Sequence, residues 1–256
     1  MFKKIALAAA LAVSASFATW DYFPVLEAGK GSAAAGLYYD WDNDWSQSGL
    51  RIGARYSVIQ SLELSLQGWG YQFWSEVDCN GCANGGDGLR DLTLGARYEV
   101  APMVTAFLDA RLPIGSDEVS SDEFALYAGA QFSMAIPDAP GFSFGSEAGI
   151  DWGFEHHNYE RGLEIHVAGE GKYAIPNTIV TPYLGLQIKL QLTEDTWEDH
   201  DKEYGGDDAG DNQFNIWLGC QFALSPELTL DARLIVRSGD MDGDATGLFV
   251  GAEYFF

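Results

Sequence analysis

Phe142-Ser143-Phe144-Gly145-Ser146-Glu147-Ala148-Gly149-Ile150-Asp151-Trp152-Gly153-Phe154 interleaves two different surfaces, one residue at a time. Phe142, Phe144, Ala148, Ile150, Trp152 and Phe154 share one parity, with Ser146 as its one polar member. Ser143, Gly145, Glu147, Gly149, Asp151 and Gly153 fill the other. A side-chain period of two belongs to a β-strand, because a helix repeats at 3.6. The apolar face carries no charge, and the polar face is glycine and carboxylate. A soluble sheet presents lysine and threonine to water more than glycine, so the expectation is an apolar face toward lipid and a polar face turned inward.

Period-two runs of this kind recur along the chain at about 32–40, 48–57, 62–74, 89–99, 103–112, 123–135, 142–154, 162–174, 179–192, 213–224, 228–237 and 246–256. Most match the ~9–11 residues that a tilted membrane strand needs. Two kinds of connection alternate between them. Short, nearly uncharged turns fall at 58–61, 100–102, 137–141, 176–178 and 225–227; long acidic segments fall at 40–48, 76–88, 114–122, 155–161, 193–212 and 239–245. This layout predicts an all-β, transmembrane, antiparallel up-and-down barrel of about twelve strands, with short periplasmic turns and long acidic extracellular loops. An even number of strands places both chain ends on the short-turn side. Two irregularities are expected. The apolar phase shifts between Leu66 and Trp69, which calls either for a bulge near Gly68 or Gly70 or for aromatic residues that face the lumen, and Pro182 belongs near a strand start.

A repeated Gly-(Ala or Cys)-x-(Tyr or Phe) sets a common height. It appears at Gly53–Tyr56, Gly95–Tyr98, Gly129–Phe132, Gly219–Phe222 and Gly251–Tyr254, and more loosely at Gly171-Lys172-Tyr173. Its aromatic residues would form a girdle at one membrane interface. Leu248, Val250, Ala252, Tyr254 and Phe256 alternate on one face and end in an aromatic residue. This resembles the terminal strand of bacterial outer-membrane β-barrels. The resemblance implies residence in the cell outer membrane among lipid and lipopolysaccharide. It also implies recognition of Tyr254 and Phe256 by the barrel-assembly machinery. It covers an architecture and transfers no functional residue.

Lys3 and Lys4, the apolar run Ile5–Val13 and the small residues at Ser16 and Ala18 read as a signal peptide over 1–18, leaving 19–256 as one barrel domain. Loss of Lys3 and Lys4 leaves 12 basic against 38 acidic residues, a charge of −26 in place of −24. Such a surface repels nucleic acid. A hydrophobic content of 47% excludes a disordered chain. Cys79 and Cys82 lie in a turn-rich polar stretch and are read as a loop disulfide; Cys220 sits among apolar residues as a small hydrophobe.

Function depends on the inward face. The pore-lining candidates are Arg51, Arg55, Arg97, Asp109, Arg111, Gln131, Glu147, Lys172, Gln221, Asp231, Arg233 and Glu253. Arg55, Arg97, Gln131, Lys172, Gln221 and Glu253 fall at one height beside the girdle and would make a constriction. The expected activity is porin-like passive diffusion of small hydrophilic solutes through a monomer or homo-oligomer. No cofactor is expected, and no metal-ligand set is assigned. One alternative is a closed barrel held by internal ion pairs, with acidic loops that contact divalent cations, lipopolysaccharide or another surface. A second is an outer-membrane lipid hydrolase using His166, Glu164 and Ser143 or Ser146, though no nucleophile motif marks them.

Overall fold

The computed structural model describes residues 24–43, 45–77, 86–155, 159–199, 202–206, 208–241 and 244–256. The signal peptide, Cys79 and Cys82, and His156, His157 and His200 lie outside the described residues. Among these residues the strands are β1 (Gly31–Trp41), β2 (Trp45–Ile59), β3 (Leu62–Gln67), β4 (Gly70–Val77), β5 (Gly88–Leu89), β6 (Leu92–Ala101), β7 (Val104–Leu112), β8 (Ala125–Ala135), β9 (Phe142–Gly153), β10 (Tyr159–Glu160), β11 (Glu164–Tyr173), β12 (Val180–Gln191), β13 (Thr196–Asp199), β14 (Lys202–Gly205), β15 (Asn212–Ala223), β16 (Leu228–Gly239) and β17 (Ala245–Phe255).

All but β10, β13 and β14 belong to one antiparallel sheet, and that sheet closes, because β1 pairs with β17 on one side and with β2 on the other. β3 and β4 both pair with β2 and are two parts of one wall strand; β5 and β6 pair in turn with β4 and β3 and make up the next. The wall therefore has twelve strands. Closure leaves no free edge, so backbone N–H and C=O groups are paired around the whole circumference, as a hydrocarbon surrounding demands. Gly31 N donates to Phe256 O at 3.0 Å, which ties the first and last strands at the short-turn end.

Burial alternates along the strands with the expected parity. Leu37, Leu184, Leu218 and Val250 are 57–61% exposed on the outside, whereas Arg55, Lys172, Gln221 and Glu253 are at most 2% exposed inside. Water would penalise so continuous an apolar exterior at ~25 cal/mol per Å². Lipid removes that cost and leaves the ionic groups to the interior. Tyr56, Tyr98, Tyr173 and Tyr254 are exposed near the short-turn rim, and Phe132 and Phe222 are half-buried there.

The phase change in the third wall strand occurs at Gly68, whose φ of +74° suits glycine. Leu64 faces outward before the break, and Tyr71 and Phe73 face outward after it, because the pairing with β2 shifts by one residue from Ala54↔Leu66 to Arg51↔Gly70. Pro182 lies third in β12, opposite Cys220 and just beyond the last pairing with β11, where its missing N–H breaks little of the ladder. Cys220 is a free, partly buried thiol.

At the long-loop end, β10, β13 and β14 form a separate small sheet. Beside it, Asp91 fastens the 113–124 loop by accepting hydrogen bonds from Gly115 N, Ser120 Oγ, Ser121 N and Ser121 Oγ at 2.7–3.0 Å. Burial alone would raise the Asp91 pKa, but these donors outweigh it and hold the carboxyl below its ordinary value.

Inside the wall, β12 and β15 exchange ring for glycine reciprocally: Trp217 lies opposite Gly185, and Tyr183 lies opposite Gly219. Both rings are buried in one cluster with Ala168. A Cβ on Gly185 would overlap the Trp217 indole. Gly185→Val is therefore expected to cost ~1–3 kcal/mol in urea unfolding from lipid vesicles, with part of the loss recovered by Trp217→Phe. A second expectation concerns pH. A depressed folded pKa stabilises the loop above the unfolded value, about 3.9, and the stability is lost as pH falls through the lower folded value. Protease cleavage within 113–124 should rise as pH drops below about 4, and Asp91→Asn should remove that pH step.

Candidate functional site

Both charge signs converge on the interior, and the register fixes its order from the short-turn end upward. Around Arg55, Nε donates to Ser32 Oγ at 3.2 Å, and the guanidinium lies 3.7 Å from Glu63 and 3.6 Å from Glu253. These groups come from β1, β2, β3 and β17, so a single cation spans the seam where the barrel closes. Arg97 donates to both oxygens of Asp109 at 3.2 and 3.3 Å, and to Ser65 Oγ at 3.0 Å. Gln131 Nε2 and Tyr127 Oη donate to the two oxygens of Glu147 at 2.7 and 2.6 Å. Lys172 lies 3.5 Å from Glu170, which also accepts from Trp217 Nε1 at 2.6 Å; Tyr183 Oη donates to Asp231 at 2.6 Å.

All twelve candidate residues point into the barrel. Arg55, Arg97, Asp109, Gln131, Glu147, Lys172, Gln221, Asp231 and Glu253 are buried, and Arg51, Arg111 and Arg233 are half-buried. Arg51 stacks at 4.5 Å on Tyr38, and Arg233 at 5.2 Å on Phe249. Arg55 and Arg97 each face a wall carboxylate, and Arg111 faces Glu123 of the 113–124 loop. In this conformation the interior is an ion-paired layer.

The chain's described start adds to that layer. Leu26 N donates to Glu63 at 2.9 Å, Gly29 N bonds Ser57 O, and Pro24 lies with Glu99, Thr105 and Ser133 around a cavity of about 290 Å³. Residues 24–30 thus follow the inner rim of the short-turn opening from β1 as far as β6–β8.

At the opposite end, Arg161 sits among the carboxylates of Glu123 in the 113–124 loop at 3.2 Å, Asp151 on β9 at 2.8 Å and Glu164 on β11. Arg111 reaches Glu123 from the far side at 3.3 Å. A cavity of about 310 Å³ opens among Arg111, Ser121, Glu123, Asp151, Arg161, Glu164 and Lys189.

The hydrolase alternative is not assembled. His166 contacts Glu164 at 2.6 Å, but it stands opposite Gly149, whereas Ser143 stands opposite Lys172, six residues along the strand and about 20 Å away. Ser146 belongs to the outward parity of β9. Sequence reasoning also missed the inward rings. Tyr38, Tyr183, Trp217 and Phe249 are 2–6% exposed inside the barrel. Their signal was present: each breaks the parity of the aliphatic face and falls beside a glycine of an adjoining strand.

The match to known proteins now has geometry behind it. Residues 25–240 match the family described as "Putative MetA-pathway of phenol degradation". The chain belongs to this family. No curated protein matches it. Among solved structures, members of several functional classes share the family's barrel shape. An outer-membrane channel from Pseudomonas putida F1 is similar at TM-score 0.71 and 12% identity, over 91% of this chain and 98% of that one. The β domain of the Bordetella autotransporter BrkA follows at 0.58 and 16%, over 90% and 100%, and the porin NanC at 0.56 and 10%, over 87% and 98%. At such identities the likeness is one of fold: this family member is an outer-membrane β-barrel.

The Arg55 cluster generates an expectation. Arg55→Ala leaves Glu63 and Glu253 buried without their shared cation, so it should cost ~3–5 kcal/mol in equilibrium unfolding. Adding Glu63→Gln and Glu253→Gln should recover most of that loss. Equal instability of the single and triple variants would show that Arg55 acts through packing rather than charge.

Proposed function

We propose that this barrel is a narrow outer-membrane channel through which small hydrophilic solutes diffuse, and that the conformation described is its closed form. The observation that supports this reading is the inner wall, on which charged side chains extend from the Arg161 cavity to the Arg55 layer with the rings of Tyr38, Tyr183, Trp217 and Phe249 among them. Its obstructions are side chains and a terminal segment, both of which can move without breaking the wall. Arg55, Arg97, Lys172 and Arg233 face a larger number of carboxylates in the lower half: Glu63, Asp109, Glu147, Glu170, Asp231 and Glu253. The acidic loops add to this potential at the mouth. The open channel accordingly favours cations.

The ion pairing of Arg55, Arg97 and Arg111 favours a second reading, a closed barrel whose interior serves stability alone. Planar-bilayer recording under a salt gradient separates the two. Brief, small cation-selective steps are expected from the folded wild type, with longer and larger openings after deletion of residues 24–29. An Arg55→Gln, Arg97→Gln variant should deepen the cation preference. Absence of current from all three folded proteins would sink the channel reading and leave the structural barrel.

A further inference from the structure

Three side chains at the mouth meet for a reason that the channel reading does not need. Glu164 and His166 are separated by one residue on β11, so both project inward, and Asp151 on β9 is the direct cross-strand partner of Glu164. One ligand atom from each, with the imidazole nitrogen and two carboxylate oxygens, lies within 4.8 Å of the other two. His166 Nε2 already touches Glu164 Oε2 at 2.6 Å. Glu164 and His166 are 5% and 7% exposed. The β-ladder therefore fixes their backbones, and shifts of order 1 Å bring all three to the ~2.0–2.2 Å that zinc–nitrogen and zinc–oxygen bonds require.

We propose that Asp151, Glu164 and His166 form a site for a divalent transition-metal ion, with zinc as its probe. The chemistry of the donors selects the class. An imidazole nitrogen beside two carboxylates suits zinc or cobalt far better than calcium or magnesium, which take oxygen alone. Water fills the remaining positions from the adjoining cavity, which Asp151 and Glu164 line. The His166 ring is braced 5.0 Å from Tyr127, whose hydroxyl is held by Glu147. That packing limits the tilt of the imidazole.

A cation is already drawn to the place. The Arg161 guanidinium bonds Asp151 and Glu164, and it belongs to the short connection between β10 and β11 rather than to the wall. A metal ion binds by displacing Arg161 from these two carboxylates, leaving it with Glu123. The other charges facing the site are Lys189, opposite His166 on β12, and Arg111. Glu123, Asp151 and Glu164 together balance Arg111, Arg161 and Lys189, so a divalent ion that leaves Arg161 beside Glu123 adds two positive charges to a balanced cluster.

This competition supplies the test. Full-length mature protein, folded in detergent, is titrated with zinc by calorimetry and with cobalt by visible absorption, in excess magnesium to occupy oxygen-only clusters in the loops. One ion per chain is expected. His166→Gln and Asp151→Asn should each weaken it by more than the ~10–100-fold that loss of an outer partner costs, and cobalt should lose its nitrogen-ligand absorption in His166→Gln. Arg161→Ala should bind roughly tenfold more tightly, a direction that a merely structural salt bridge does not predict. Heat-modified gel mobility reports whether each variant has folded, and Glu164→Gln serves in place of any that has not. Wild-type protein that takes up no zinc, or zinc affinity unmoved by both ligand substitutions, would overturn the proposal. Because the readout is binding rather than current, its failure would leave the channel reading standing.

Discussion

Everything in this molecule depends on the hydrogen-bonded seam between β1 and β17. In hydrocarbon a free strand edge would leave a row of peptide groups without partners, at several kcal/mol each, and no side-chain packing could compensate. The seam is fastened twice. Backbone pairing runs from Ser32↔Phe255 to Trp41↔Thr246, and beneath it Arg55 joins Ser32, Glu63 and Glu253 across four strands. The second fastening is ionic because the first turns every outward position over to aliphatic groups. Polar residues are left with the inside only, and there they must satisfy one another.

That constraint shapes the interior more finely than charge balance does. A twelve-stranded wall encloses more space than small side chains fill and less than an open porin leaves. Two devices occupy the difference. Long ionic side chains bridge neighbouring and next-neighbouring strands, and large rings lie over glycines among them, as Trp217 and Tyr183 do across β12 and β15. The two devices are joined, because Trp217 donates to Glu170 and Tyr183 to Asp231. A ring is thus the packing unit and also a hydrogen-bond donor to a buried carboxylate.

Much of this was legible in the sequence, for a physical reason. In a membrane barrel the two sides of a strand meet solvents as different as lipid and water, so parity is written strongly in strands such as β9 and β17. The alternation of short and acidic connections then orders them. The break at Gly68 was legible too, since Leu66 and Tyr71 cannot both face lipid without a change of phase. Contacts across the lumen were not. Arg55 is far in sequence from Glu253, and parity gives only that both point inward. Asp151, Glu164 and His166 were passed over as a set because Asp151 lies on the preceding strand, and only the register Asp151↔Glu164 brings it beside them. The small sheet of β10, β13 and β14 escaped for the opposite reason: its segments are short and acidic, and they read as loop by composition.

On the channel reading proposed above, the ion pairs that stabilise the interior would also oppose conduction. A solute entering the lower half must replace contacts such as Arg97 with Asp109, which are bidentate and nearly dry. It can do so cheaply only if its own charge takes over one partner while water takes the other. With carboxylates in excess over bases there, a passing cation finds oxygen atoms to neutralise without first breaking every pair, whereas an anion must compete for bases already engaged. Polarity of the wall alone would pass either sign. On the channel reading, opening would begin at carboxylates such as Glu147 and Asp231, which accept hydrogen bonds from tyrosine hydroxyl or amide groups.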